Sequence, residues 1–204
     1  MNINIHTYQA GSLVSEIGLL GEFRLRYFRE YPYLYVGTEA GEQTHLAGYI
    51  ANPTARLVIA KDQGVNDIVA GIAIGTMLST ETEILRLAGE QLRQFGITPE
   101  QCYCFGEMIL IPEYRSKGIG KQMLEALKNA GREQGAYRFC FFSVAREPDD
   151  ARRPTGYVDS DMVFRRFGFE KTDVFVTFEW PTIQSDGSIE KVPNRLDFWI
   201  DKMM

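Results

Sequence analysis

The sequence predicts a mixed α/β fold, and three observations carry that prediction. Stretches alternating apolar and polar residues are interleaved with stretches whose apolar residues recur at helical spacing. An apolar run from Cys102 to Ile111 passes through a glycine-bearing turn straight into a helical pattern. The chain has 204 residues, 45% hydrophobic and 24% charged, which is enough length and apolar content to bury a core. No repeat, low-complexity tract or linker divides it, so one domain over 1–204 is expected.

Asn2 to Tyr8 alternates Ile3 and Ile5 with polar neighbours and reads as a first strand. From Ser12 a helical stretch carries Leu13, Ile17, Leu20 and Phe23, with Pro32 beyond its end. Glu39 to Ala51 reads as a second helix, stopped by Asn52-Pro53. Arg56 to Lys61 and Asp67 to Met77 flank Asp62-Gln63-Gly64, a hairpin signal. Thr80 to Phe95 is an expected helix before the Cys102 strand, and the helix after the glycine turn sets Ile119, Met123, Ala126, Leu127 and Ala130 on one face. Tyr137 to Val144 is a strand, Asp161 to Phe167 a short helix closed by Gly168, and Lys171 to Trp180 and Arg195 to Ile200 the last two strands.

The net charge of -5, with no Lys/Arg-rich run, argues against nucleic-acid binding, whose affinity comes from a basic stripe. The first residues lack the cationic start and long apolar stretch of a signal peptide, and no window reaches the length of a membrane span. A cytoplasmic location is the expectation. Cys102, Cys104 and Cys140 fall inside predicted strands, an odd count that suits buried thiols better than a disulfide framework. A sharper reading makes Cys104 a reactive, group-accepting thiol. Neither a metal-ligand cluster nor a nucleophile elbow appears, and His6 and His45 lie far from the glycine turn in sequence, so no metal and no histidine catalysis are expected.

The turn itself, Arg115-Ser116-Lys117-Gly118-Ile119-Gly120, opens a helix. Backbone N–H groups there lack intrahelical partners and the helix dipole adds positive charge, so the turn attracts phosphate. Its spacing excludes the common nucleotide loops. A Walker A loop needs glycine where Arg115 stands and a hydroxyl where Gln122 stands, and a dinucleotide fingerprint needs a small residue at Met123.

The run Ile109 to Lys121 resembles, without a gap, the acetyl-CoA loop of the GCN5-related N-acetyltransferases: Arg or Gln, two residues, Gly, one residue, Gly or Ala. Phe164-Arg165-Arg166-Phe167-Gly168-Phe169 is similar to that family's later segment ending in Gly-Phe, and the element order matches over essentially the whole chain. The resemblance implies a mostly antiparallel central sheet of about seven strands with helices on both faces. It also implies acetyl transfer from acetyl-CoA to a primary amine of a small molecule or peptide, with a CoA-binding sensor or scaffold as the alternative. Backbone groups of Met108, Ile109 and Leu110 would pair with the pantetheine arm. The loop Arg115, Ser116, Lys117, Gly118, Ile119, Gly120 and Lys121 would hold the pyrophosphate, and an N–H near Leu110 would face the thioester oxygen.

One position departs from the family pattern. Many members carry a proton-donating tyrosine where this chain has Phe164, which cannot donate. Tyr157 is the candidate acid in its place, against a packing role. An amine with pKa about 10 must lose a proton to attack, and Glu107, a carboxylate in an apolar strand, is the candidate base or amine anchor. The alternative for Glu107 is an ion pair with Arg115 or another cation. The aromatic cluster Tyr27, Phe28, Tyr31, Tyr33 and Tyr35 suits core or acceptor-pocket wall, and the mixed-sign loop Glu147 to Pro154 is expected to be solvated. A homodimer through the Arg195 to Ile200 strand is the expected assembly route.

Overall fold

The structure, a computed structural model, describes residues 1–202. Its elements run β1 (Ile3–Gln9), α1 (Ala10–Glu16), α2 (Gly18–Tyr27), α3 (Glu39–Ala51), β2 (Arg56–Asp62), β3 (Ile68–Met77), α4 (Thr82–Gln94), β4 (Cys102–Leu110), α5 (Ile119–Arg132), β5 (Arg138–Val144), α6 (Ser160–Arg166), β6 (Phe169–Ile183) and β7 (Ile189–Asp201). The strands form one sheet of seven in the order β1-β2-β3-β4-β5-β7-β6. Every pairing is antiparallel except β4 with β5. That parallel pair is forced by the crossover through α5. Among the described residues no helix is long and apolar enough to cross a membrane.

Local chemistry explains the boundaries. Thr38 caps α3 by accepting the Gly41 N–H at 3.1 Å. The stretch after Ser12, expected as one helix, is two: it begins at Ala10, where Gln9 and Ser12 cap each other, and breaks at Ile17. There Leu20 N–H reaches back only three residues, to the Ile17 carbonyl. The helix expected from Thr80 begins at Thr82, because Leu78–Thr80 forms a single 3-10 turn. The last hairpin is longer than the alternation suggested, since β6 and β7 extend to a tight turn at Asp186-Gly187.

Each face of the sheet carries its own core. On one, α5 buries Ile119, Met123, Leu124 and Leu127 against Tyr103, Phe105, Phe139 and Trp199, with Phe164 of α6 and Phe167 just after it beside them. Each such side chain contributes roughly 1.5–3 kcal/mol. On the other, α1, α2 and α3 pack Leu13, Ile17, Leu20 and Leu46 on Leu57, Ile59, Ile72, Ile74 and Ile109. Next to them, α4 packs Ala88 and Leu92 on Cys102, Cys140, Phe198 and Ile200. β7 lies between β5 and β6, with Phe198 and Trp199 fully buried. The Arg195 to Ile200 strand therefore has no free edge, which corrects the expected route to a dimer.

Candidate active site

The site is organised by one extra residue in β4. The register with β3 pairs Ile74 with Glu107 but Gly75 with Phe105, leaving Gly106 without an opposite number. Such a bulge resets the period-two alternation of side chains. Before it, Tyr103 and Phe105 face α5; after it, Glu107 and Ile109 turn to the opposite face while Leu110 packs on the α5 side. A Cβ on Gly106 would lie 2.5 Å from the Tyr49 hydroxyl of α3, so any larger residue must displace the tip of that ring.

Beyond the bulge β4 also parts from β5. Their ladder ends at Phe105 with Phe141, although β5 runs on to Val144. Ile111 N–H donates to the Ala70 carbonyl of β3. By alternation Ile109 shares that direction, and Met108 and Leu110 point their backbone groups into the opening left by β5. The chain then passes a 3-10 turn (Pro112–Tyr114) and enters α5 through Gly118, at φ 79°. Ser116 is also left-handed, at φ 60°. No side chain caps α5 and no acidic residue occupies its first turn, so its first N–H groups are free to meet an anion. Arg115, Ser116, Lys117, Gly118 and Lys121 are exposed, Gly120 is half-buried and Ile119 is anchored in the core. The Arg115 guanidinium folds back, donating to the Leu110 carbonyl and pairing with Glu30, both at 3.0 Å. These residues suit a bound CoA: an unpaired strand edge for amide groups and an uncapped helix start for phosphate.

The opposite face carries charge. Glu107, 9% exposed, accepts from Arg24 of α2 and lies 2.9 Å from Nε2 of His45 on α3, both at its Oε1. Arg24 also pairs with the buried Glu42 of α3 at 2.6 Å, and the Tyr35 hydroxyl donates to Glu42 at 2.7 Å. Phe28 and Tyr35 flank the guanidinium, with ring centroids 5.2 and 5.5 Å from its carbon. Burial pushes the Glu107 carboxyl up, but Arg24 and His45 outweigh it and hold its pKa below the ordinary value. Burial opposes the charge on Arg24 in the same way, and Glu107 and Glu42 more than compensate, so its pKa is raised. The second oxygen of Glu107, Oε2, is buried and has no hydrogen-bond partner. An unsatisfied carboxylate oxygen in such a place costs free energy until a donor meets it.

The ion-pair partner of Glu107 is thus Arg24, not Arg115, and His45, though far from the turn in sequence, lies against the same carboxylate. Arg24, Glu42 and His45 escaped notice because they are joined to Glu107 only through the fold, 83 residues apart in the case of Arg24. One local signal existed: Glu42 and His45, three apart on a helix, share a face. Tyr157, half-buried in the loop before α6, packs edge-on to Tyr31 at 4.7 Å and lies under Arg153. Burial raises its pKa, so it keeps its proton. It is also among the groups that perturb Tyr33, whose phenol burial and then Glu107 push up to about 12. Phe164 packs edge-on against Phe141 and Trp199 at 4.6 and 5.2 Å and belongs to the core. Cys104 is 2% exposed, and although a hydrogen bond with Cys140 lowers its thiol pKa, burial and nearby groups raise it overall, so the structure favours the buried structural thiol over the acetyl-accepting one. The Glu147 to Pro154 loop is solvated as expected, with 147–149, 151 and 154 exposed, while Arg152 binds Asp150 within the loop and donates to the Ile183 carbonyl. Just before it, Arg146 binds the Pro32 and Tyr33 carbonyls.

Known proteins share this architecture. PaiA N-acetyltransferase from Thermoplasma acidophilum, solved with coenzyme A, is 14% identical with TM-score 0.55, and the match covers 100% of each chain. An N-acetyltransferase from Staphylococcus aureus Mu50 is 13% identical, TM-score 0.55, over 98% of each. Aminoglycoside N-acetyltransferase AAC(6')-Iy in complex with CoA is 14% identical, TM-score 0.55, over 85% of this chain and 91% of its own. At such identities the likeness is one of fold. No curated protein sequence matches the chain. The model of the acetyltransferase (GNAT) family matches residues 22–153, from α2 through the loop after β5 and so across both faces of the site. The protein therefore belongs to the acetyltransferase (GNAT) family.

Proposed function

We propose that this protein transfers the acetyl group of acetyl-CoA to a primary amine of a small molecule or peptide, by direct attack within a ternary complex. The observation that carries the reading is that one strand serves both partners: beyond Gly106, β4 offers an open backbone edge to one side and the unpartnered Oε2 of Glu107 to the other. Acetyl-CoA, when bound, supplies an activated acetyl carbonyl. Met108 and Leu110 pair their backbone groups with the pantetheine amides, and the loop from Arg115 to Lys121 takes the pyrophosphate. The Leu110 N–H stabilises the negative charge that develops on the carbonyl oxygen. Glu107 anchors the acceptor's ammonium at Oε2 and takes one proton from it, freeing the lone pair that attacks the carbonyl carbon. As the C–N bond forms and the C–S bond breaks, Tyr157 gives a proton to the departing sulfur, and the second nitrogen proton passes through water to restore the phenol. That the relatives above include enzymes titled as N-acetyltransferases, two solved with CoA, supports the donor side of this reading.

The test is release of free thiol from acetyl-CoA with a panel of primary amines, read beside CoA binding by calorimetry. Acetyl transfer predicts amine-dependent release. The second reading, a CoA-binding sensor or scaffold, is favoured by Phe164, which sits in the aromatic core where a hydroxyl would be needed for the usual acid. Tight CoA binding with no release for any amine would establish it instead.

A further inference from the structure

The charged groups around Glu107 do not balance. Glu42 and Glu107 share a single guanidinium, Arg24, so with a neutral imidazole at His45 the cluster carries one net negative charge. With an imidazolium it carries none. The surrounding groups offer no further cation. Tyr35, from the segment after α2, spends its proton on Glu42. Burial and then Glu107 raise the pKa of Tyr33, from the same segment, and of Tyr49 on α3, so both stay neutral. Glu81, which Tyr49 also feels, adds negative potential.

The two oxygens of Glu107 face different worlds. Oε1 meets Arg24 and His45, whose side chain is 40% exposed and can exchange protons with water. Oε2 is buried and unpartnered, so an incoming donor reaches it only as the side chains over it move aside. One proton on the imidazole and one ammonium at Oε2 would therefore neutralise the same charge from opposite ends of one carboxylate.

We propose that the acceptor's ammonium and a proton on His45 compete for the single uncompensated negative charge of the Arg24–Glu42–Glu107 cluster, so that His45 sets the pH range in which a cationic acceptor binds. This rests on the reading of Glu107 as the acceptor's anchor. His45 is then a positioning residue: when neutral it orients Oε1 and leaves the charge to the acceptor, and when protonated it claims that charge. Linkage is reciprocal, so a bound ammonium must depress protonation of His45 by the same factor that imidazolium weakens acceptor binding. With the two cations roughly 6 Å apart in a partly solvated site, the factor is about tenfold, or about one pH unit.

The chain has only two histidines, so its imidazole NMR signals are two, and His45→Gln assigns them. The experiment titrates these signals between pH 5 and 8.5 in the CoA complex of the full chain, with 200 mM n-propylamine hydrochloride or with matched KCl. Alkylammonium stays protonated throughout that range, so its own titration does not intrude. The expected result is a His45 midpoint lowered by about one pH unit by propylamine, an unmoved His6, and no shift in Glu107→Gln. In parallel, KM for the fastest amine of the panel rises about tenfold as pH falls across the range in the native protein and stays flat in His45→Gln. A stationary His45 midpoint, or an equal rise of KM in His45→Gln, overturns the proposal. Amine-dependent thiol release alongside either result would leave the acetyl-transfer reading standing, whereas no release from any amine would end that reading instead.

Discussion

On the α5 side of β4 the site is made of backbone: an open strand edge at Met108 and Leu110, and the free N–H groups that follow Gly118. On the α3 side it is made of side chains drawn from separate elements, Arg24, Glu42, His45 and Glu107. Backbone recognition tolerates almost any residue provided the chain takes the right path. A buried charge cluster tolerates almost none, because each member leaves another uncompensated when it is removed. The two halves should therefore fail differently under mutation.

Removing the shared cation tests the side-chain half most severely. Arg24→Met strands two buried carboxylates, and guanidinium unfolding should show a loss of about 3–5 kcal/mol. Adding Glu42→Gln should restore part of it, and no recovery would mean the loss lies in packing against Phe28 and Tyr35 instead. Glu107→Gln should lower kcat about 100-fold while leaving CoA affinity unchanged in calorimetry. The same variant bears on pH. The Glu107 carboxyl is depressed in the fold, so its contribution to stability is full above the unfolded value of about 4.3 and lost as pH falls below it. Acid unfolding of Glu107→Gln should accordingly be less steep between about pH 4.5 and 3 than that of the native protein.

The backbone half is tested at Gly118. Gly118→Val forces a branched side chain into the left-handed region at φ 79° and should weaken CoA about tenfold, with the His45 signals unmoved. If that variant disturbs His45, the two halves are not separable. The smallest effect is expected from Tyr157→Phe, which keeps the contact with Tyr31 and removes only the proton donor. A slowing of kcat of about tenfold, confined to the acetyl-transfer step in single-turnover measurements, would support the acid role. An unchanged rate would assign Tyr157 to packing.

The difference in materials also decides what could be read from the letters. The phosphate turn is local: Arg115, Gly118 and Gly120 stand at fixed spacing between an apolar strand and an amphipathic helix. The order of elements was legible for the same reason, since Ile119, Met123 and Leu127 recur at helical period and α3 ends at an Asn-Pro step. The charge cluster has no spacing, because α2, α3 and β4 meet only once the sheet has formed. Glu107 stood out as a carboxylate among apolar residues, but nothing nearby named Arg24 as its partner. The turn end of the last hairpin was hidden too, because Pro181, Pro193 and the exposed run Ile189, Glu190 and Lys191 interrupt the alternation there.

The glycine at 106 has a mechanical consequence. The Tyr49 hydroxyl fills the space where its side chain would be, so the tip of that ring, which packs edge-on against His45, is seated on the bulge. Gly106→Ala would push the Tyr49 ring aside and disturb its contact with His45 while the phosphate turn stays where it was. The bulge is thus both the switch of faces within β4 and the seat of the ring that packs against His45.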